Sequence, residues 1–266
     1  MSEQPAPLVR EWLDYLRIER GRSANTVSTY ARTMRTLPNA PTATREEVEE
    51  WWRERAEGRA PSSRNNELSA AQSFYRWAVR FDHRDDDPTV RIDPVKVPKR
   101  VSRFVGKSDL DRLLAELPDD LRRAVALGAY GGLRVSEAAA VHWSDVNEES
   151  RRIIVRGKGD KERSVALPVG LLDLLMPNTG GYVVTGTERT VSGHSLQLRV
   201  NRAIKAAGVD ATFHKLRHRF GYKSAEAGIA PTSIARAMGH ASLSTTMGYI
   251  AAVDSDLDLI GEAVTR

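Results

Sequence analysis

Apolar residues in the first hundred positions recur at helical spacing. Leu8, Trp12, Tyr15 and Leu16 fall at i, i+4, i+7 and i+8, and Val27, Tyr30, Ala31 and Met34 repeat the pattern behind a candidate N-cap at Ser23. Thr44 and Glu47 form a candidate capping box ahead of Val48 and Trp51, and Leu68, Ala71, Tyr75 and Ala78 mark a fourth helix. Four amphipathic helices with short connections predict a compact helical domain over residues 1–90.

The pattern then breaks. Residues 91–107 carry Arg91, Lys96, Lys99, Arg100, Arg103 and Lys107 against a single acid, Asp93, and Pro94 and Pro98 disfavour a helix. This reads as a basic interdomain linker, placed at 91–104. On charge alone, DNA contact through Lys96, Lys99, Arg100 and Arg103 and a plain solvated loop both stay open. Helical spacing returns at Leu110, Leu113, Leu114 and Leu117, followed by a helix over about 119–130. The period next drops to two: Ile153 and Val155 lead into Gly157-Lys158-Gly159-Asp160, and Val165 and Leu167 lead out, which predicts a β-hairpin. Tyr182 to Thr185 reads as a short strand. Leu196, Val200, Ala203 and Ile204 resume the helical period, with further helices near 213–228, 231–238 and 242–249.

The expected fold class is mainly α with a small β-hairpin or sheet. A helical domain precedes the linker and a mixed α/β domain over 105–266 follows it. That second domain ends in a tail, about 253–266, where Asp254, Asp256, Asp258 and Glu262 lie beside Leu257, Leu259 and Ile260.

Composition narrows the function classes. The hydrophobic fraction of 41% suffices for ordinary cores, and the net charge of +5 suits a polyanionic partner without proving one. Arg far outnumbers Lys, which suits phosphate contacts, although a GC-rich genome explains most of the excess. The absence of Cys excludes disulfides and thiolate metal sites. No signal sequence or membrane span is visible, so the expected location is the cytoplasm of a bacterial host.

Four short segments carry candidate chemistry. In Gly131-Gly132-Leu133-Arg134-Val135-Ser136-Glu137 the glycines permit a sharp turn, and Arg134 and Glu137 stand at ion-pair spacing at a helix start. Lys158 sits between glycines at the hairpin tip, either a solvated turn residue or an unobstructed functional cation. His214 and Arg217 share one helix face behind a candidate N-cap at Thr212, where free N–H groups attract phosphate. His214 and His218 also have the spacing of a metal pair, but Lys215 holds the place where the zinc helix pattern has Glu, so no metal is expected. Finally His240 follows Gly239 in a turn, and Tyr249 lies nine residues on near a helix end.

Taken in order, Arg134, Lys158, His214 with Arg217, His240 and Tyr249 resemble the tyrosine site-specific recombinase family, and in particular short integrases of actinobacterial phages. The segment from Trp12 to Leu37 looks like that family's core-DNA-binding domain. The four motif segments look like its catalytic domain. The resemblance implies that Tyr249 attacks a DNA phosphorus to give a 3′-phosphotyrosine. Arg134 and Arg217 would clamp the non-bridging oxygens, and Lys158 would protonate the leaving oxygen. His214 would act as general base or donor, His240 would bond the phosphate, and Glu137 would support the arginines or a His. Lys161 would be a further DNA contact on the hairpin. Because the phosphotyrosine keeps the bond energy, no ATP, metal or other cofactor is implied.

The implied partners are double-stranded DNA attachment sites and further copies of the chain. Four protomers would assemble on DNA with exchanged tails. Directionality or host factors stay open. The absence of the extra N-terminal domain of long integrases sets the expectation of simple sites with core repeats alone. Arg219-Phe220-Gly221-Tyr222-Lys223 differs from the Xer branch. A Xer-like dimer resolvase is therefore the alternative, and a noncatalytic DNA-binding protein a remote one.

Overall fold

The structure is a computed structural model that describes residues 6–98, 104–157, 162–240 and 242–250. Lys99, Arg100, Arg103, Lys158, Lys161 and the tail over 253–266 lie outside the described residues. The chain divides into two compact units, Met1–Lys99 and Arg100–Arg266.

The first unit contains four helices, α1 (Pro7–Ile18), α2 (Ala24–Met34), α3 (Arg45–Ala56) and α4 (Pro61–Arg80). The expected caps form. Ser23 accepts from the Thr26 N–H, and Thr44 and Glu47 exchange bonds of 3.2 and 2.7 Å as a capping box. Trp12 and Leu16 of α1, Met34 of α2, Trp51 of α3 and Leu68, Phe74 and Tyr75 of α4 fill the core, with Trp12 stacked on Tyr30. Tyr75 satisfies its hydroxyl on the Ala40 carbonyl at 2.9 Å. No helix forms in 91–98. Instead Asn65 on α4 brackets Val95 with two 2.9 Å bonds, and Ile92 enters the core.

The second unit is built on α6 (Asp119–Gly131), whose Val125, Ala126 and Leu127 are all fully buried. A helix apolar all round must be covered on every side. Its cover comes from α5 (Lys107–Glu116), α7 (Val135–Ala140), α8 (Val169–Leu175), α9 (Gly193–Ala206) and α10 (Phe213–Glu226). Helices α11 (Pro231–Met238) and α12 (Leu243–Ile250) then pack beside α10. The predicted hairpin is present as β2 (Arg152–Arg156) and β3 (Glu162–Ala166), in register Ile153↔Val165, so both apolar side chains face the core. A two-residue strand, β1 (Val146–Asn147), adds a third antiparallel neighbour that the sequence period is too short to reveal.

The expected strand at Tyr182 to Thr185 is not a strand. Tyr182 makes isolated bridges to His142 and Thr187, and residues 183–186 turn back so that the Gly186 N–H reaches the Tyr182 carbonyl at 2.7 Å. Val183 and Val184, which suggested the strand, are buried as part of the core instead.

Candidate active site

Arg134 enters the site because α6 stops abruptly. Gly132 adopts the left-handed conformation that ends the helix, and Arg134 then stands as the residue that starts α7. Its backbone N–H donates to Glu137 at 2.7 Å and its guanidinium to the same carboxylate at 2.9 Å. The other guanidinium nitrogen donates to the Gly239 carbonyl at 2.7 Å. The side chain stays 43% exposed, so donors remain available to a ligand.

Arg217 comes from α10 and is nearly inaccessible, at 3%. Its guanidinium donates to the Gly132 carbonyl and, at 2.6 Å, to the Met238 carbonyl. Arg134 also reaches that Met238 oxygen, at 3.4 Å, so two guanidinium groups converge on one backbone atom. Burial lowers the Arg217 pKa to about 10, aided by the positive Arg134, yet the group remains a cation at neutral pH.

Thr212 occupies the capping position of α10 but its side chain does not cap. The Phe213 N–H donates to the Asn201 side chain of α9 at 2.8 Å, a long-range contact invisible to local sequence rules. His214 is exposed on the first turn, and its ring meets His218 edge-on at 4.3 Å between centroids. Among the described residues no cluster of three or more His, Cys, Asp or Glu accompanies that pair. Partial desolvation, then Arg217 and Arg134, lower the His214 pKa.

Tyr249 lies in α12 and is buried at 7% exposure. Its ring sits edge-on to His218 at 5.5 Å and stacked near His240 at 6.2 Å. It also lies against the backbone of α10 at Gly221, where an added Cβ would come within 2.5 Å of the ring. Only glycine allows this approach. Burial raises the phenol pKa, with Arg217 and Arg134 opposing, so the hydroxyl keeps its proton at neutral pH. His240 follows Gly239, which closes α11 at φ 65°, and its Nδ1 is 2.7 Å from the hydroxyl of the fully buried Thr246. Burial, then Arg217, holds the His240 pKa down at about 4, so its ring is neutral.

Glu137 is the buried hub. Burial alone would raise its pKa, but hydrogen bonds from Arg163 and Arg134 outweigh that and hold it at about 2. Arg163, on β3, is a partner the sequence reading left unassigned. A cleft of about 810 Å³ opens beside these groups, lined by Arg134, Arg156, Arg163 and Arg236 together with His240. Tyr249, His214 and Arg217 lie outside that lining. Arg134, Glu137, His214, Arg217, His240 and Tyr249 are thus assembled from α7, α10, α11 and α12 around shared carbonyls, whereas Lys96 is an exposed residue of the first unit.

Fixed guanidinium groups around a histidine-flanked tyrosine suit transfer of a phosphoryl group to a phenol oxygen. The comparisons agree on the class. The profile described as "Phage integrase family" matches residues 103–255, and that of the "Phage integrase, N-terminal SAM-like domain" matches 9–81. A tyrosine recombinase XerD from Yersinia pestis is 30% identical over 94% of both chains. A tyrosine recombinase XerA from Thermococcus kodakarensis is 31% identical, over 94% of this chain and 92% of the relative. In fold, the chain is similar to lambda integrase residues 75–356, solved as a dimer bound to a COC′ core site. The TM-score is 0.73 at 21% identity, over 89% of this chain and 96% of that one. The chain belongs to the phage integrase family and is an enzyme of the tyrosine recombinase class.

Proposed function

We propose that the protein is a site-specific integrase that cleaves and rejoins double-stranded DNA, with Tyr249 as nucleophile. The observation that carries this reading is the convergence of Arg134 and Arg217 on the Met238 carbonyl, next to the turn that bears His240, with the ring of Tyr249 from α12 seated on Gly221 of α10, the helix that carries Arg217. In the reaction the Tyr249 oxygen attacks phosphorus, the 5′-oxygen leaves, and the 3′-phosphate stays on the tyrosine. Arg134 and Arg217 bind the non-bridging oxygens as charge builds there. His214, neutral at pH 7, accepts the phenol proton or bonds the phosphate, and His240 donates to the phosphate. Lys158 protonates the leaving oxygen.

The helical unit carries core-DNA contacts, helped by Lys96, Lys99, Arg100, Arg103 and Lys161 through phosphate neutralisation. Four protomers act together in the cytoplasm on phage attachment sites and exchange their tails. A Xer-like resolvase role is the second reading, favoured by the names of the two curated relatives.

A test starts by recovering a bound sequence from a randomised duplex library, using the protein itself as bait. A nicked version of the recovered duplex should trap a covalent adduct with wild-type protein. Tyr249→Phe, which keeps the ring packing, should bind it and form none. An adduct with the variant assigns the nucleophile elsewhere.

A further inference from the structure

The carboxylate of Glu137 is filled. It accepts from the Arg134 N–H and Arg134 Nη1, and from Arg163 Nη1 and Nη2 at 2.8 and 2.9 Å. A carboxylate offers about four acceptor positions, so Arg163 occupies half of them. Arg217 Nη1 stands 3.8 Å from Glu137, beyond hydrogen-bond reach, and donates to the Gly132 carbonyl instead, while Nη2 donates to the Met238 carbonyl. The third donor of Arg163, Nε, reaches the Ala237 carbonyl at 2.8 Å, three residues before His240. Its guanidinium lies so close to Gly239 that an added Cβ would stand 3.1 Å away. Arg163 therefore ties β3 to the start of α7 and to the end of α11, with only 11% of its side chain exposed.

We propose that Arg163 is a positioning residue for strand cleavage: by saturating Glu137 it keeps Arg217 and Arg134 aimed at the phosphate, and by holding Ala237 it anchors the turn that carries His240. This rests on the site reading given above. Without Arg163, a buried carboxylate would have two empty acceptor positions, and Arg217 would turn toward them and away from the Met238 carbonyl. Displacements of about 1 Å at a reacting site lower rates by about 10²-fold.

The test uses the full chain and the nicked duplex recovered from the randomised library, with single-turnover adduct formation and duplex affinity as readouts. Arg163→Met should cleave about 10²-fold more slowly while affinity changes little. The distinguishing readout is dependence on Glu137. The groups that face this carboxylate are Arg134, Arg163, Arg217 and, across the cleft lining, His240. Once Arg163 is gone, burial raises the Glu137 pKa. The rate deficit should then narrow as pH falls and Glu137 protonates, releasing Arg217. Adding Glu137→Gln to Arg163→Met should restore most of the rate at neutral pH.

A deficit that is unchanged across pH and unrelieved by Glu137→Gln reduces Arg163 to a scaffold residue and overturns the proposal, as does Arg163→Met at wild-type rate. If Arg163→Met unfolds, the same comparison is made with Arg163→Lys, which keeps the charge but loses the fork. A slow rate relieved by Glu137→Gln supports the proposal, and full activity overturns it. An adduct that is absent in wild type or persists in Tyr249→Phe instead removes the site reading itself.

Discussion

The two units place polar groups in opposite ways. Among the described residues, the only polar side chains buried in the first unit are Thr33 and Thr89, and its core is built from Trp12, Phe74, Tyr75 and Trp77. The second unit buries Arg123, Glu137, Asp145, Arg217, Arg219 and Thr246 beside an aliphatic core. Apolar burial stabilises without direction, whereas a buried charge is tolerated only with partners in place. The first unit is thus held by contact area, and the second carries at its candidate active site a network whose geometry is specified but whose stability depends on every partner.

The largest expected effect of that contrast is on the aromatic core. Trp12→Ala should remove about 3–5 kcal/mol of stability. Hydrogen exchange should show the loss in α1, α2 and α4 and leave α6 and α10 protected. Equal loss across both units would mean that they unfold as one body and would blur the contrast.

Acid should act on the second unit. Glu137 has a folded pKa of about 2, below its unfolded value near 4.5, so its contribution is present above pH 4.5 and is lost as pH falls through 2. The full shift corresponds to roughly 3 kcal/mol. His218 and His240, lowered to about 4 chiefly by burial, act earlier. The unfolded chain takes up their protons first as pH falls from about 6.5, which removes stability toward pH 4. Glu67 in the first unit shifts in the same direction as Glu137, but it belongs to a partly exposed cluster with Arg55 and Arg59. Four of the five tryptophans lie in the first unit, so tryptophan fluorescence follows that unit while exchange in α10 follows the other. Fluorescence that changes before α10 opens on acidification would reverse the assignment.

The smallest effect is local. Gly221→Ala places a methyl against the Tyr249 ring and should slow adduct formation about tenfold, equivalent to roughly 1.4 kcal/mol, with DNA affinity kept. An unchanged rate would show that the ring does not need this seat to react.

Much of the architecture was legible in the chain because it depends on local rules. The i, i+4 apolar spacing located α1, α2 and α4, the Thr44 and Glu47 pair located the start of α3, and the alternation around Gly157 located the hairpin. The failures have physical reasons. Val183 and Val184 carry the apolar signal of a strand but lie in a turn, since core burial alone does not specify backbone direction. The Thr212 side chain makes no cap bond, and Asn201 from another helix takes the Phe213 N–H at the start of α10, a contact that no local rule encodes.

By itself the sequence determined the helices, the hairpin and the ordered set of arginine, histidine and tyrosine candidates, since periodicity and residue chemistry are written along the chain. Tertiary structure alone decided that Arg134 and Arg217 share the Met238 carbonyl, that Arg163 completes the shell of Glu137 from 26 residues away, and that Tyr249 rests on Gly221. Hydrogen bonds and steric approach between distant elements depend on how helices pack against α6, and neighbouring residues carry no signal of that packing.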